Sequence, residues 1–440
     1  MKIAHVYPHA VIPQPPMRLF DAISIVNYEI ARRLGKDHSV VVYAAHVEGQ
    51  PREEIFENVT WKRVPVTLDR AMNTLKALDS LHILGADRPY RHTALYYAPY
   101  ARRVARDVRA RQCEIVHIHS IASFVPVFRK ANRDARIVLH MHDHSLTDFD
   151  PVPTRARLAD ATLILGCSDH IINGIRARFP EVADRCRSLH NGVDARFLQF
   201  HTRPEYSDTV LFVGRLSPEK GVHVLLEAFG EVARQHPQAE LRLVGPFDVA
   251  PRQFVDPLDR DRVVAPISRY YAKTNRYSQA LHRWAQGLGA RVTFVPPTPN
   301  INLGSQYAQA GIFVFPSVWH EPFGIPLVEA MAAGLPVITT KGGAAGEIVD
   351  DGVTGLLVKR GDVRELAQAI DALLRDPARR ALMGAAGRER AARLFTWDQA
   401  SARLSQIYEQ LLGAQAAPPF DAGTHAARGH SRSTLAPRSP

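Results

Sequence analysis

Cysteine is scarce, with three residues in a chain of 440, Cys113, Cys167 and Cys186, and no CxxC pair among them. Bridging two would strand the third, which excludes a disulfide framework and a thiolate zinc site and fits a reduced, cytoplasmic chain with free thiols. Long apolar runs are also missing. No segment reaches the roughly 18 residues that a membrane span requires, and Met1-Lys2-Ile3-Ala4-His5-Val6-Tyr7 goes straight into a strand-like run. Acidic residues are outnumbered, 44 against 55 Lys and Arg, for a net charge of +11 with neutral histidines. Such a balance suits an acidic partner, and nucleic acid, anionic lipid and a nucleoside diphosphate all qualify. The charge is spread out and no nucleic-acid-binding motif accompanies it, so nucleic acid ranks last.

What is present is enough apolar residue, 46%, to give two domains a core, and too much chain for one ordinary domain. Two α/β domains are expected. The stretch 413–440 is rich in Ala, Pro, Ser, Gly and Arg with few large apolar residues; it cannot offset the entropy of ordering and is read as a disordered tail.

The most informative stretch runs from Gly311 to Ile338. Gly311-Ile312-Phe313-Val314-Phe315 has the short apolar pattern of a buried parallel strand, ended by Pro316-Ser317. Glu321 follows in a loop, before Pro322-Phe323-Gly324. The glycine permits close approach of backbone to a ligand, and Pro326 suits the first turn of a helix carrying Leu327-Val328-Glu329. Amides at such a helix start can hold phosphate, and the carboxylates Glu321 and Glu329 can accept hydrogen bonds from sugar hydroxyls. A second legible segment is Val210-Leu211-Phe212-Val213-Gly214-Arg215-Leu216-Ser217-Pro218-Glu219-Lys220-Gly221. There a strand ends at glycine and a guanidinium and an ammonium follow five residues apart, a plausible grip on a diphosphate.

The run His320-Glu321-Pro322-Phe323-Gly324-Ile325-Pro326-Leu327-Val328-Glu329-Ala330-Met331 resembles the signature of the retaining, nucleotide-sugar-dependent glycosyltransferases of family 4, which have the GT-B fold. The resemblance extends from Met1 to about Leu412 and is strongest in the second half. It implies two Rossmann-like domains facing a central cleft: an N-terminal acceptor domain over 1–195 and a C-terminal donor domain over 205–394. A last helix, 395–412, would cross back to the first domain. The family carries an Asn-Gly-Val-Asp tetrad, here Asn191 to Asp194, where the chain leaves the first domain, so the linker is placed at 195–207. By the same resemblance Arg215 and Lys220 neutralise the departing nucleoside diphosphate and Glu321 holds donor-sugar hydroxyls. Glu329 takes the ribose hydroxyls, and the backbone of Gly214, Phe323, Gly324, Ile325 and Leu327 lies against the donor.

Two strands end in histidines, Glu114-Ile115-Val116-His117-Ile118-His119 and Ile137-Val138-Leu139-His140-Met141-His142-Asp143-His144. Alternation puts His117 with His119, and His140 with His142 and His144, on common sides. A metal site is one reading of this. Poorly placed carboxylates and the habit of parallel strands to end in polar residues around a ligand crevice favour the other. The family pattern assigns His142 to the donor sugar, with His119 second. No metal or other cofactor is expected, because the cations and the helix start supply the positive charge.

Three segments depart from the family. The loop Pro8 to Pro16 lacks the Gly-Gly pair usual there, and Pro296-Pro297 stand where relatives commonly have a glycine near the base. A stretch over 246–284 is inserted, with Arg269-Tyr270-Tyr271-Ala272-Lys273 and Arg276-Tyr277 mixing cations and tyrosines; it is read as a loop packed at the domain edge rather than a stacking surface for bases or sugars. The segment 94–111 is a basic helix. Its narrow stripe of Tyr97, Ala101, Val104 and Val108 reads as a core face with solvated arginines, and peripheral contact with the inner face of a membrane is the alternative. The function expected is retaining transfer of a sugar from a nucleoside-diphosphate sugar to an unidentified polysaccharide, lipid-linked or small-molecule acceptor. A nucleotide-sugar epimerase or hydrolase on the same fold, and a catalytically silent nucleotide-binding protein, are the competing readings.

Overall fold

The computed structural model describes residues 1–9, 22–76, 89–200, 202–248, 261–271, 276–288 and 291–413. Most of the proline-rich first loop, Lys273 and the C-terminal tail lie outside the described residues. Among the described residues, fourteen strands form two sheets. The first contains β1 (Lys2–Val6), β2 (Ser39–Ala45), β3 (Glu53–Phe56), β4 (Val59–Val64), β5 (Ile115–His119), β6 (Arg136–Met141), β7 (Leu163–Gly166) and β8 (Cys186–Ser188), in the order β3-β4-β2-β1-β5-β6-β7-β8. All its pairings are parallel except β3 with β4. The second contains β9 (Thr209–Val213), β10 (Glu240–Val244), β11 (Val292–Val295), β12 (Ile312–Phe315), β13 (Val337–Thr340) and β14 (Gly355–Val358), in the order β11-β10-β9-β12-β13-β14 and parallel throughout.

The central strands are buried without alternation, as in a parallel sheet covered on both faces; every residue of β12 and β13 is buried. In each sheet the order reverses at the first strand, β1 between β2 and β5 and β9 between β10 and β12. Chain leaving the C-terminal ends of those strands opens a crevice there. Local chemistry sets the helix starts: Ser168 Oγ accepts the Ile171 N–H at 3.2 Å ahead of helix Asp169–Arg178, and Asp362 caps helix Val363–Arg375 through the Glu365 N–H at 2.9 Å.

The basic helix spans Ala98–Ala110 and buries Tyr100, Ala101, Val104, Ala105 and Val108, leaving Arg102, Arg103, Arg106 and Arg109 exposed. Its apolar stripe is spent on the core, so only charge faces outward. No described helix is long and apolar enough to cross a membrane. The chain between the two sheets is pinned by arginines of helix Pro377–Leu394, with Arg388 donating to the carbonyls of Leu198 and Phe200 and Arg380 to that of Ser207. Helix Trp397–Gly413 then lies on the first sheet's layer: Arg33 Nε donates to Asp398 at 2.7 Å, His38 bonds Ser405 at 2.8 Å, and the Tyr408 hydroxyl meets His117 Nδ1 at 2.5 Å.

The return passes Gly192 closely. Val193 N–H donates to the Phe395 carbonyl at 2.7 Å, and a Cβ on Gly192 would lie 2.4 Å from the Trp397 nitrogen, a backbone atom with little freedom to yield. Gly192→Ala is therefore expected to cost about 1–3 kcal/mol and lower the thermal midpoint by several degrees. Gly287→Ala, where a Cβ meets nothing within 4 Å, should leave the midpoint unchanged or raise it. Equal midpoints for the two variants would contradict the close contact.

Candidate active site

Where β9 ends, Gly214-Arg215 enters the turn Pro218–Lys220, closed by Gly221 at φ +70°. Glycine is required there, because a Cβ would lie 2.0 Å from the Pro316 carbonyl oxygen. This approach joins the two segments singled out in the sequence. Lys220 Nζ donates to both oxygens of Glu321 at 2.9 and 2.8 Å, while Ser317 Oγ and Trp319 Nε1 donate to Oε2 at 3.1 and 2.8 Å. The ammonium also stands 4.9 Å from the Trp319 ring centre and 5.3 Å from that of Phe315. Burial pushes the Glu321 carboxyl up, but the Lys220 charge and the bonds from Lys220, Trp319 and Ser317 outweigh it and hold the group below its ordinary value. Arg215 Nη2 donates to Glu219 Oε1 at 2.7 Å, and the same oxygen accepts from Ser217 Oγ at 2.6 Å.

A cleft of about 750 Å³ lies between the two halves. Gly214, Arg215, Lys220, Glu321, Phe323, Gly324 and Ile325 line it from one side, and His142, Asp143 and His144 from the other. Gly324, at φ +101°, is the N-cap of helix Ile325–Ala332 with Pro326 in its first turn. His119, Leu327 and Glu329 do not line this cleft. The Leu327 N–H donates to the Gly324 carbonyl at 2.9 Å, which takes it out of the set of amides open to a ligand. Glu329 is buried behind the helix, where Tyr307 OH donates to it at 2.8 Å and Asn300 Nδ2 at 2.5 Å; burial raises its carboxyl to about 7 against these two bonds.

The histidines form a network rather than a single cluster, and it includes His5 from β1, which strand alternation within the two histidine-rich strands cannot reveal. His5 Nδ1 lies 3.1 Å from Asn27 Oδ1 and 3.3 Å from His119 Nε2, and His119 Nδ1 lies 3.0 Å from His142 Nε2. Separately, His117 Nε2 meets His140 Nδ1 at 3.2 Å. Burial lowers all five, His5 and His142 to about 4, so the rings are neutral near pH 7. His117, His119 and His140 bring one ring nitrogen each within 4.8 Å of one another, with no carboxylate in the group. His144 belongs elsewhere, 3.0 Å from His170 Nε2.

Glu347, after the Gly342-Gly343 loop, reaches from the second half to the first. It accepts the N–H groups of Asp169 and His170 at 2.8 and 2.7 Å, at a helix start, and faces His190 Nε2 at 3.0 Å. The sequence signals gave Glu347 no such partners. Trp319 and Ser317 also went unassigned; their spacing of two and four residues before Glu321, in a loop rather than a strand, was the available signal.

Two Rossmann-like α/β halves facing a cleft, with the donor-type loops of the second half lining it, define a GT-B glycosyltransferase. A family model described as Glycosyltransferase Family 4 matches residues 23–197, and one described as Glycosyl transferases group 1 matches 194–390. The chain is 31% identical over 323 residues to a GDP-mannose-dependent alpha-(1-6)-phosphatidylinositol monomannoside mannosyltransferase of Mycolicibacterium smegmatis, covering 70% of this chain and 72% of that one. Sucrose-phosphate synthase from Thermosynechococcus elongatus superposes with a TM-score of 0.68 at 22% identity, over 94% of this chain and 99% of that one. Anabaena HepE in complex with UDP and glucose does so with a TM-score of 0.64 at 20% identity, over 93% and 99%. The chain belongs to the family 4 glycosyltransferases.

The raised carboxyl of Glu329 makes a stability prediction. Its folded-state value of about 7 lies above its ordinary 4.5, so the unfolded chain binds fewer protons between them. Its contribution is therefore complete below about pH 4.5 and lost as pH rises through about 7. Glu329→Gln should gain on wild type in thermal midpoint between about pH 5 and about pH 8; a difference independent of pH would contradict this assignment.

Proposed function

We propose that the protein transfers a sugar from a nucleoside-diphosphate sugar to an acceptor hydroxyl with retention at the anomeric carbon. The observation that carries the reading is the convergence of Arg215, Lys220 and Glu321 on one wall of the cleft, two cations and a carboxylate. The anomeric bond to the diphosphate oxygen breaks, and the charge that grows on the diphosphate is met by Arg215 and Lys220. The amides at Phe323, Gly324 and Ile325, before helix Ile325–Ala332, add partial positive charge on the phosphate side. Glu321 accepts donor-sugar hydroxyls, and neutral His142 faces the sugar from the opposite wall. The new bond forms from the acceptor oxygen on the face the diphosphate leaves, and the acceptor proton passes to a phosphate oxygen. This chemistry calls for no metal, since the cations and amides supply the charge. His119 acts behind His142, through the bond between their rings. The GDP-mannose and phosphatidylinositol monomannoside in one relative's name, and the UDP bound by a structural neighbour, support a nucleotide sugar as donor and a lipid or small molecule as acceptor.

Incubation with UDP-, GDP- and ADP-sugars, with cell extract as the acceptor source, is expected to release nucleoside diphosphate from one donor and form a glycoside of unchanged anomeric configuration. Glu321→Ala and Arg215→Ala should each lower the rate about 100-fold or more. Nucleotide binding without turnover, or free or epimerised sugar as the product, would contradict the proposal.

A further inference from the structure

Three described residues of the segment between β10 and β11, Tyr277, Asp261 and Tyr271, tie it to the loops around the cleft. Tyr277 OH accepts the His223 N–H at 3.1 Å, at the start of helix Val222–Gln235. Asp261 accepts Arg360 Nη1 at 2.8 Å and lies 3.7 Å from His320 Nε2, next to Glu321, while Arg360 also donates to the Val318 carbonyl at 3.0 Å. The third contact is Tyr271, whose hydroxyl donates to Glu219 Oε2 at 2.5 Å.

We propose that Tyr271 is a positioning residue, which fixes the Arg215 guanidinium for the diphosphate by locking the carboxylate of Glu219. This rests on the donor-site reading given above. Glu219 has no exposed surface and lies between the two cations in sequence. Its Oε1 takes Ser217 and Arg215, and its Oε2 takes Tyr271, so the carboxylate is held from both ends and cannot turn. The direction of the Arg215 fork follows from that of its acceptor, because a guanidinium bonds in a fixed plane. Burial and the Glu219 charge push the Tyr271 hydroxyl well above its ordinary value, so it remains a donor. Neither Tyr271 nor Glu219 lines the cleft, whereas Arg215 does; the tyrosine reaches the ligand only through the arginine.

The neighbouring aromatics of the insertion do something else. Arg269 stacks on Tyr270 at 4.9 Å, Tyr270 packs edge-on against Tyr277 at 5.1 Å, and both rings lie against His223, so these rings pack the segment onto helix Val222–Gln235. Removing the Tyr271 hydroxyl leaves a buried carboxylate oxygen without its donor, and Glu219 is then free to rotate with Arg215.

The test is calorimetric binding of the nucleoside diphosphate that wild type prefers among UDP, GDP and ADP, beside the corresponding monophosphate, for wild type, Tyr271→Phe, Arg215→Ala and the double variant. Tyr271→Phe is expected to weaken the diphosphate about fivefold or more and the monophosphate less than about twofold. In the Arg215→Ala background it should cost less than about twofold, because its effect runs through the missing guanidinium. Glu219→Gln should reproduce the diphosphate-selective loss, and serves should Tyr271→Phe fold poorly. Equal losses for both nucleotides, full additivity with Arg215→Ala, or no loss at all would overturn the proposal. Failure of wild type to bind any of the three diphosphates would instead remove the donor-site reading, and this inference with it.

Discussion

The ion pair between Lys220 and Glu321 is the joint on which the donor side of the cleft depends. Taking two charges out of water costs several kcal/mol each, and their attraction offsets this only when the remaining hydrogen-bond positions are also filled. Here they are: Ser317 and Trp319 complete the carboxylate, and the Trp319 and Phe315 rings sit beside the ammonium. The pair needs the loops after β9 and β12 to touch, which explains why the Lys220 turn closes on a glycine against Pro316. In the function proposed, a diphosphate entering the cleft offers Lys220 more negative charge than a single carboxylate does. Glu321, already bonded by Trp319 and Ser317, then has lone pairs to offer a sugar.

The two walls differ in electrostatic character. One carries cations and the open amides of a helix start; the other carries histidines kept neutral by burial, His142 in front and His119, His5 and Asn27 behind it. The neutral imidazoles, beside Asp143 on the same wall, suit a neutral sugar, and the cations opposite suit a diphosphate. Glu347 bonds a helix start of the first half with a carboxylate of the second, beside His170 of the cleft.

Much of this was legible in the sequence, because its signals are contiguous. The run Phe315 to Ile338 spells a strand, loop, helix and strand in order, and the Arg215 to Gly221 segment reads equally well. What escaped the reading depends on residues far apart in the chain. Lys220 and Glu321 were placed at opposite tasks, and nothing local says that an ammonium would bond a carboxylate 101 positions away. Tyr271 to Glu219 and Tyr408 to His117 are likewise bonds that only topology brings about. The hairpin β3–β4 was missed for a local reason: its turn places Glu57 and Asn58 at φ +49° and +62°, where Asn-Gly is the usual signal. Leu327 was assigned to the phosphates by its place in the motif, whereas the first helical turn had already engaged its amide.

The central claim is that Lys220 exchanges its carboxylate for a diphosphate. A crystal structure with the preferred nucleoside diphosphate bound tests this directly. The account predicts Lys220 Nζ and an Arg215 nitrogen within about 2.7–3.2 Å of phosphate oxygens, with the Lys220–Glu321 contact lengthened or lost. Phosphates bound away from both cations, with that ion pair intact, would contradict it.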